Sequence, residues 1–249
     1  MKHSIGKMIG SWLKLIRIQN LLMIILIQVL AWYCVLGSFF DLYGVNLQLD
    51  NWQLIVLVLT TILIAASGYI INDIQDIDID RINKKNKNVI GNPVDPDKAW
   101  AVYIIFNVVA IILGFWLSYS IGSFQTGFIF PVIIGLLWFY SHRYKKMLFW
   151  GNLIIASLAA LTILIIWLFE YLAMRSSPSD YIRIFKGIGR INFFIWGYSL
   201  FAFLATLMRE WIKDNQDITG DKRYGSRSLP VMIGLMKMKP LLIITTFII

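Results

Sequence analysis

Two aspartate triplets in this 249-residue chain share one spacing: Asp73, Asp76 and Asp80, and Asp214, Asp217 and Asp221, each at i, i+3 and i+7. On a helix that spacing puts the three carboxylates of a triplet on one face, with Asp78 off it. Three like charges on one face repel one another unless a cation joins them. A donor set of oxygens alone suits Mg²⁺, which keeps several waters and bridges to substrate phosphates. His3 and His142 are the only histidines and Cys34 the only cysteine, so a His/Cys zinc site and an intramolecular disulfide are both excluded. One acidic stretch at a helix end is usually just solvated. Two with matching spacing, each amid Lys and Arg, point to metal and phosphate binding.

The elements that must hold these carboxylates are apolar spans. Hydrophobic residues make up 58% of the chain and charged residues 15%, against roughly 25% charged in soluble domains. The apolar residues fall in blocks and the charges between them, the pattern of a polytopic membrane protein. The spans read as Ile18–Phe40, Trp52–Asn72, Ala99–Tyr119, Thr126–Tyr140, Asn152–Ala173 and Ile188–Met208, the fourth short enough to need adjusted ends. A seventh, Leu229–Ile249, is interrupted by Lys237, Lys239 and Pro240 and reads as one span or two pieces. The chain stops on an apolar run, "LLIITTFII", which reads as a C-terminally short single domain over 1–249. Lys2, Lys7, Lys14 and Arg17 precede the first span. That span is too long for a signal peptide and lacks a small-x-small cleavage site, so it reads as a retained helix.

With the N-terminus inside, segments 1–17, 73–98, 141–151 and 209–228 are inner, and they hold 17 of the 23 basic residues. The positive-inside rule therefore favours a cytoplasmic N-terminus in the plasma membrane. Ten of the fourteen acidic residues lie in two of these inner segments, 73–98 and 209–228, read as loops that begin where a span ends. The net charge of +9 fits attraction to anionic lipid head groups better than nucleic acid, because the charges sit between spans. A cation transporter is the competing class. It would place ionisable residues near the membrane midplane, and the spans hold almost none beyond Glu170, near an outer end.

Three blocks resemble the UbiA superfamily of intramembrane prenyltransferases. "NDIQDIDIDRIN" (72–83) is similar to its first motif, N-D-x-x-D-x-x-x-D, and "REWIKDNQDITGDKRYGSRSLPV" (209–231) to its second. "YSHRYKKMLFWGNLIIASLAA" (140–160) is similar to the Y-S-x-x-L-K…G-N segment between them. The resemblance implies an all-α bundle, usually of nine transmembrane helices, around a central cavity, with about seven helices present here. It implies two Mg²⁺ ions on Asp73, Asp76, Asp80, Asp214, Asp217 and Asp221. Asn72 would orient a carboxylate or bind metal through its amide oxygen. Lys145, Arg209 and Lys213 would supply further positive charge to an isoprenoid diphosphate donor, and Tyr140 a hydroxyl. Ionisation of the donor leaves an allylic cation for the acceptor to capture. The second block looks most like the branch that prenylates glycerol-phosphate lipids, with geranylgeranyl as the expected group. An aromatic quinone precursor of hydroxybenzoate or naphthoate type is the alternative acceptor. Relatives usually carry N-x-P-x-R-P after the first motif. Here "NKKNKNVIG" keeps Asn83, lacks the prolines, and puts Lys87 near the arginine position, where Lys is the weaker bidentate clamp.

Overall fold

The computed structural model describes the backbone of residues 2–77, 89–91, 93–147, 150–223 and 229–248. Asp78, Asp80 and the "NKKNKN" stretch lie outside the described residues. Within them the architecture is all-α, with no strand beyond an isolated bridge between Ile90 and Val94.

The helices are α1 (Lys2–Leu15), α2 (Ile18–Leu42), α3 (Asn51–Gln75), α4 (Pro96–Ser120), α5 (Phe124–His142), α6 (Trp150–Ala173), α7 (Pro178–Arg223), α8 (Leu229–Ile233) and α9 (Leu235–Ile248). Six of them, α2 to α7, are long and apolar enough to cross a membrane. All six expected spans are present, with moved ends. The fourth is lengthened by a 3₁₀ turn, Phe124–Phe128, that leads into it. Two of the starts have a local cause. Asp50 caps α3 in a reciprocal capping box with Gln53, and Asp95 caps α4 by accepting from the backbone of Asp97 and Lys98, with Pro96 at the first helical position. Asp95, counted above among the acidic residues of 73–98, thus caps the start of α4.

Two expectations are corrected and one open alternative is decided. The segment 174–187 is helix from Pro178 onward rather than loop, because α7 begins ten residues before the apolar block and runs unbroken for 46 residues. The second acidic segment is therefore the end of that helix, which keeps its triplet in register; α3 instead stops at Gln75, with Asp76 already outside regular helix geometry at φ −95° and ψ 2°. The seventh span is two pieces, and the break falls at Gly234, whose φ of +80° is the left-handed conformation that ends a helix, rather than at the charged residues.

The main core gathers Trp32, Leu36, Phe40, Leu57, Phe130, Ile166 and Phe169 from α2, α3, α5 and α6. A second cluster packs Leu15 of α1 against Ile70 of α3 and Ala99 of α4. A third sets Leu207 and Trp211 of α7 against Ala156 of α6, Leu229 and Met238. The last two lie beside the ends of α3 and α7 that carry the aspartates, and so fix those ends in place. Elsewhere large apolar side chains face outward, among them Ile104, Ile112 and Trp116 on α4, as a lipid-facing surface requires.

Candidate functional site

The first triplet sits where α3 emerges from the bundle. Asn72 and Asp76 are buried, and the Asn72 amide nitrogen donates to Asp76 Oδ2 at 3.1 Å. Lys145, on a short turn after α5, donates its ammonium to the same Asp76 oxygen and, at 3.3 Å, to Asn72 Oδ1. Asp73 is held by Arg17, whose guanidinium donates to Oδ1 at 3.0 Å and lies 4.6 Å over the Tyr69 ring. One turn into α2, the Asn20 side chain donates to the Tyr69 hydroxyl at 3.3 Å, tying the two helices together at this level.

Arg17 was counted above only as an anchoring charge. It occupies the junction of α1 and α2 at φ 52° and ψ 57°, a left-handed conformation that a long side chain rarely adopts. The ion pair and the stacking on Tyr69 offset that cost, which is of the order of 1 kcal/mol or more. The residue type gave no hint of this, because the partner is 56 residues away.

The second triplet lies on the last turns of α7. Asp214 accepts from the Asn152 amide at 2.8 Å. The Lys213 ammonium stands 3.9 Å from Glu210, which is buried. Asp217 and Asp221 follow on the helix backbone; their side chains lie outside the described residues. Arg209 is exposed and joins none of these contacts.

The two halves meet. Tyr140, buried on α5, lies close enough to Glu210, Asp76, Asp214 and Arg17 to feel their charges, and Lys213 likewise to Lys145, Arg17 and Asp76. Residues from α3, α5, the turn after α5, α7 and the α1–α2 junction thus form one charged cluster at one end of an apolar bundle. Gly151 permits the approach: a Cβ there would stand 2.9 Å from the Tyr144 carbonyl and 3.1 Å from Lys145 Cα. Sequence reasoning missed Arg17, Asn152 and Glu210. The G-N pair inside the third block was the one available signal for Asn152.

The donor chemistry fits a hard divalent cation. Every described ligand candidate is an oxygen, and the carboxylates of Asp73, Asp76 and Asp214 are each oriented by a nitrogen donor. No three Asp, Glu, His or Cys side chains among the described residues already form a cage. The side chains that would complete each triplet, Asp80, Asp217 and Asp221, are outside that set.

The UbiA prenyltransferase family model matches residues 30–249. The chain belongs to this family. It is similar to the digeranylgeranylglyceryl phosphate synthase of Methanosphaera stadtmanae, 33% identical over 80% of this chain and 64% of that protein. It is also similar to that of Sulfurisphaera tokodaii, at 28% over 96% of this chain and 78% of that one. A solved structure described as giving insight into digeranylgeranylglyceryl phosphate synthase in membranes superposes with a TM-score of 0.61 at 25% identity, covering 97% of this chain and 73% of the other. The chain therefore spans roughly two thirds to three quarters of the length of these relatives. Family and spans together make it an integral membrane protein.

Proposed function

We propose that the protein transfers a geranylgeranyl group from its diphosphate to the hydroxyl of a glycerol-phosphate lipid, with both aspartate motifs facing the cytoplasm across the plasma membrane. The observation that carries this reading is the single cluster in which carboxylates of both motifs stand with Lys145, Lys213, Arg17 and the Tyr140 hydroxyl. Diphosphate binding calls for carboxylates to hold metal and for cationic donors beside them, and this cluster has both kinds of group. The names of the similar proteins support the glycerol-phosphate acceptor over an aromatic one.

In the reaction the bond from C1 of the prenyl chain to the diphosphate oxygen breaks, and the diphosphate leaves with the electron pair. The acceptor oxygen then bonds to C1 and passes its proton to the released diphosphate. Two Mg²⁺ ions on Asn72, Asp73, Asp76, Asp80, Asp214, Asp217 and Asp221 would neutralise charge developing on the leaving group. Lys145 and Lys213 would add cationic donors to the leaving group, and Tyr140 a hydroxyl; such preorganised groups act most strongly away from bulk water. The apolar bundle keeps water from the allylic cation and takes up the prenyl tail.

The test incubates the protein with labelled geranylgeranyl diphosphate and a panel of acceptors, with and without Mg²⁺, and identifies products by mass. A geranylgeranyl ether of the glycerol-phosphate lipid, formed only with Mg²⁺, is expected. Product on hydroxybenzoate or naphthoate alone would move the acceptor to the aromatic class. Aspartate-dependent ion flux in proteoliposomes without prenyl product would sink the enzyme reading in favour of transport.

A further inference from the structure

The two aspartate motifs are oriented alike, each by the carboxamide of an asparagine. Asn72 donates to one oxygen of Asp76 at 3.1 Å, and Asn152 to one oxygen of Asp214 at 2.8 Å. Asn72 belongs to the first motif and lies on the last turn of α3, four residues before its partner. Asn152 does not belong to the second motif: it reaches Asp214 from α6, 62 residues away in sequence. Its neighbour Gly151 packs without a Cβ against the turn that carries Lys145, and Lys145 in turn bonds Asp76 and Asn72. Two consecutive residues at the start of α6 therefore touch both halves of the cluster. Gly151 backs the first half and Asn152 holds the second.

We infer that Asn152 is a positioning residue for divalent cation binding: its amide fixes the rotation of the Asp214 carboxylate and so presents the other oxygen to the metal. The inference rests on reading the two motifs as a metal and diphosphate site. A carboxylate on a single bond rotates freely, and Asp214 stands among like charges, with Glu210 one turn before it. An amide N–H on Oδ2 selects one rotamer and satisfies the lone pair that the metal does not use. Partners of this kind, which orient a ligand without touching the metal, are worth about 10- to 100-fold in metal affinity. A residue acting only in packing would alter stability and leave cation affinity alone.

The experiment measures Mn²⁺ binding to the detergent-solubilised full chain by the loss of the free-ion electron paramagnetic resonance signal, with no substrate present. Thermal unfolding of the same samples serves as the folding control. Asn152→Leu keeps the volume and removes the donor; Asn152→Gln keeps the donor. About 10-fold weaker Mn²⁺ binding is expected in Asn152→Leu, with most of it restored in Asn152→Gln. Wild-type affinity in Asn152→Leu would overturn the proposal, and so would equal weakening in both variants, since the donor would then be irrelevant. If Asn152→Leu does not fold, Asn152→Ala takes its place and is read in the same way. Absence of Mn²⁺ binding in the unaltered chain overturns both this proposal and the metal reading. Normal Mn²⁺ binding without prenyl product leaves Asn152's role standing and sinks only the proposed reaction.

Discussion

One helix, α6, carries two very different treatments of a carboxylate. At its start Asn152 meets Asp214, in a cluster that also holds Lys145, Lys213 and Arg17. Eighteen residues on, about 27 Å along the axis at 1.5 Å per residue, Glu170 is wholly buried. Its oxygens accept from the indole of Trp32 at 3.1 Å, from the backbone of Leu49 at 3.3 Å and from the backbone of Gln48. No cation is among these donors, and each is fixed by the α2–α3 connection or the core. Glu170 is therefore a clasp that holds that connection against α6, with its hydrogen-bonding capacity spent on the fold. At the other end Asp73 and Asp76 are paired with the part-exposed guanidinium of Arg17 and ammonium of Lys145. On the proposed function such partners would exchange a carboxylate for a phosphate. Burial alone does not mark a functional carboxylate; exchangeable partners do.

The sharpest way to break that contrast is to remove a carboxylate at each end. Asp76→Ala and Asp214→Ala should each lower prenyl transfer by about three orders of magnitude, since metal-held charge stabilisation is worth several kcal/mol. Steady-state product formation at saturating Mg²⁺ checks this, and near-normal turnover in either would remove that residue from the site. Lys145→Met comes next. Losing one preorganised donor should cost about 100-fold in kcat, with unfolding temperature little changed; an effect on stability alone would make Lys145 a mere counterion of Asp76. Gly151→Ala should follow at about 10-fold, because a methyl group at 2.9 Å from the Tyr144 carbonyl forces the Lys145 turn outward, and restoration by Gly but not Ser would localise the effect to volume. The least effect on chemistry belongs to Glu170→Ala. It leaves two buried N–H groups and one part-buried one without an acceptor, a loss of about 3 kcal/mol or more, visible as faster thermal inactivation while kcat of the surviving protein is unchanged. A large drop in kcat there would erase the distinction between the two ends.

How much of this was legible beforehand divides along a physical line. Hydropathy located all six spans because burial in lipid acts on whole blocks of residues. Spacing found the carboxylates because α7 keeps its helical period through Asp221. The resemblance named Asn72 and Lys145, and the structure sets both against Asp76. Arg17 and Asn152 were not legible, since each meets its partner only after helices distant in sequence pack. The resemblance implied Arg209 as a further positive charge for the donor; its side chain is exposed on α7. The start of α7 was misread because Arg183, Lys186 and Arg190 broke the apolar block, although Pro178 at the helix start was a usable signal.

The unbroken length of α7 has a mechanical consequence. Its 46 residues make a rod of about 70 Å, more than twice the roughly 30 Å thickness of membrane hydrocarbon. A helix that outreaches its bilayer adjusts by tilting, and a rigid rod moves most at its tips. Asp214, Asp217 and Asp221 ride on one of those tips. Part of the rod must therefore stand outside the hydrocarbon, and the second aspartate motif lies on the last turns of that rod.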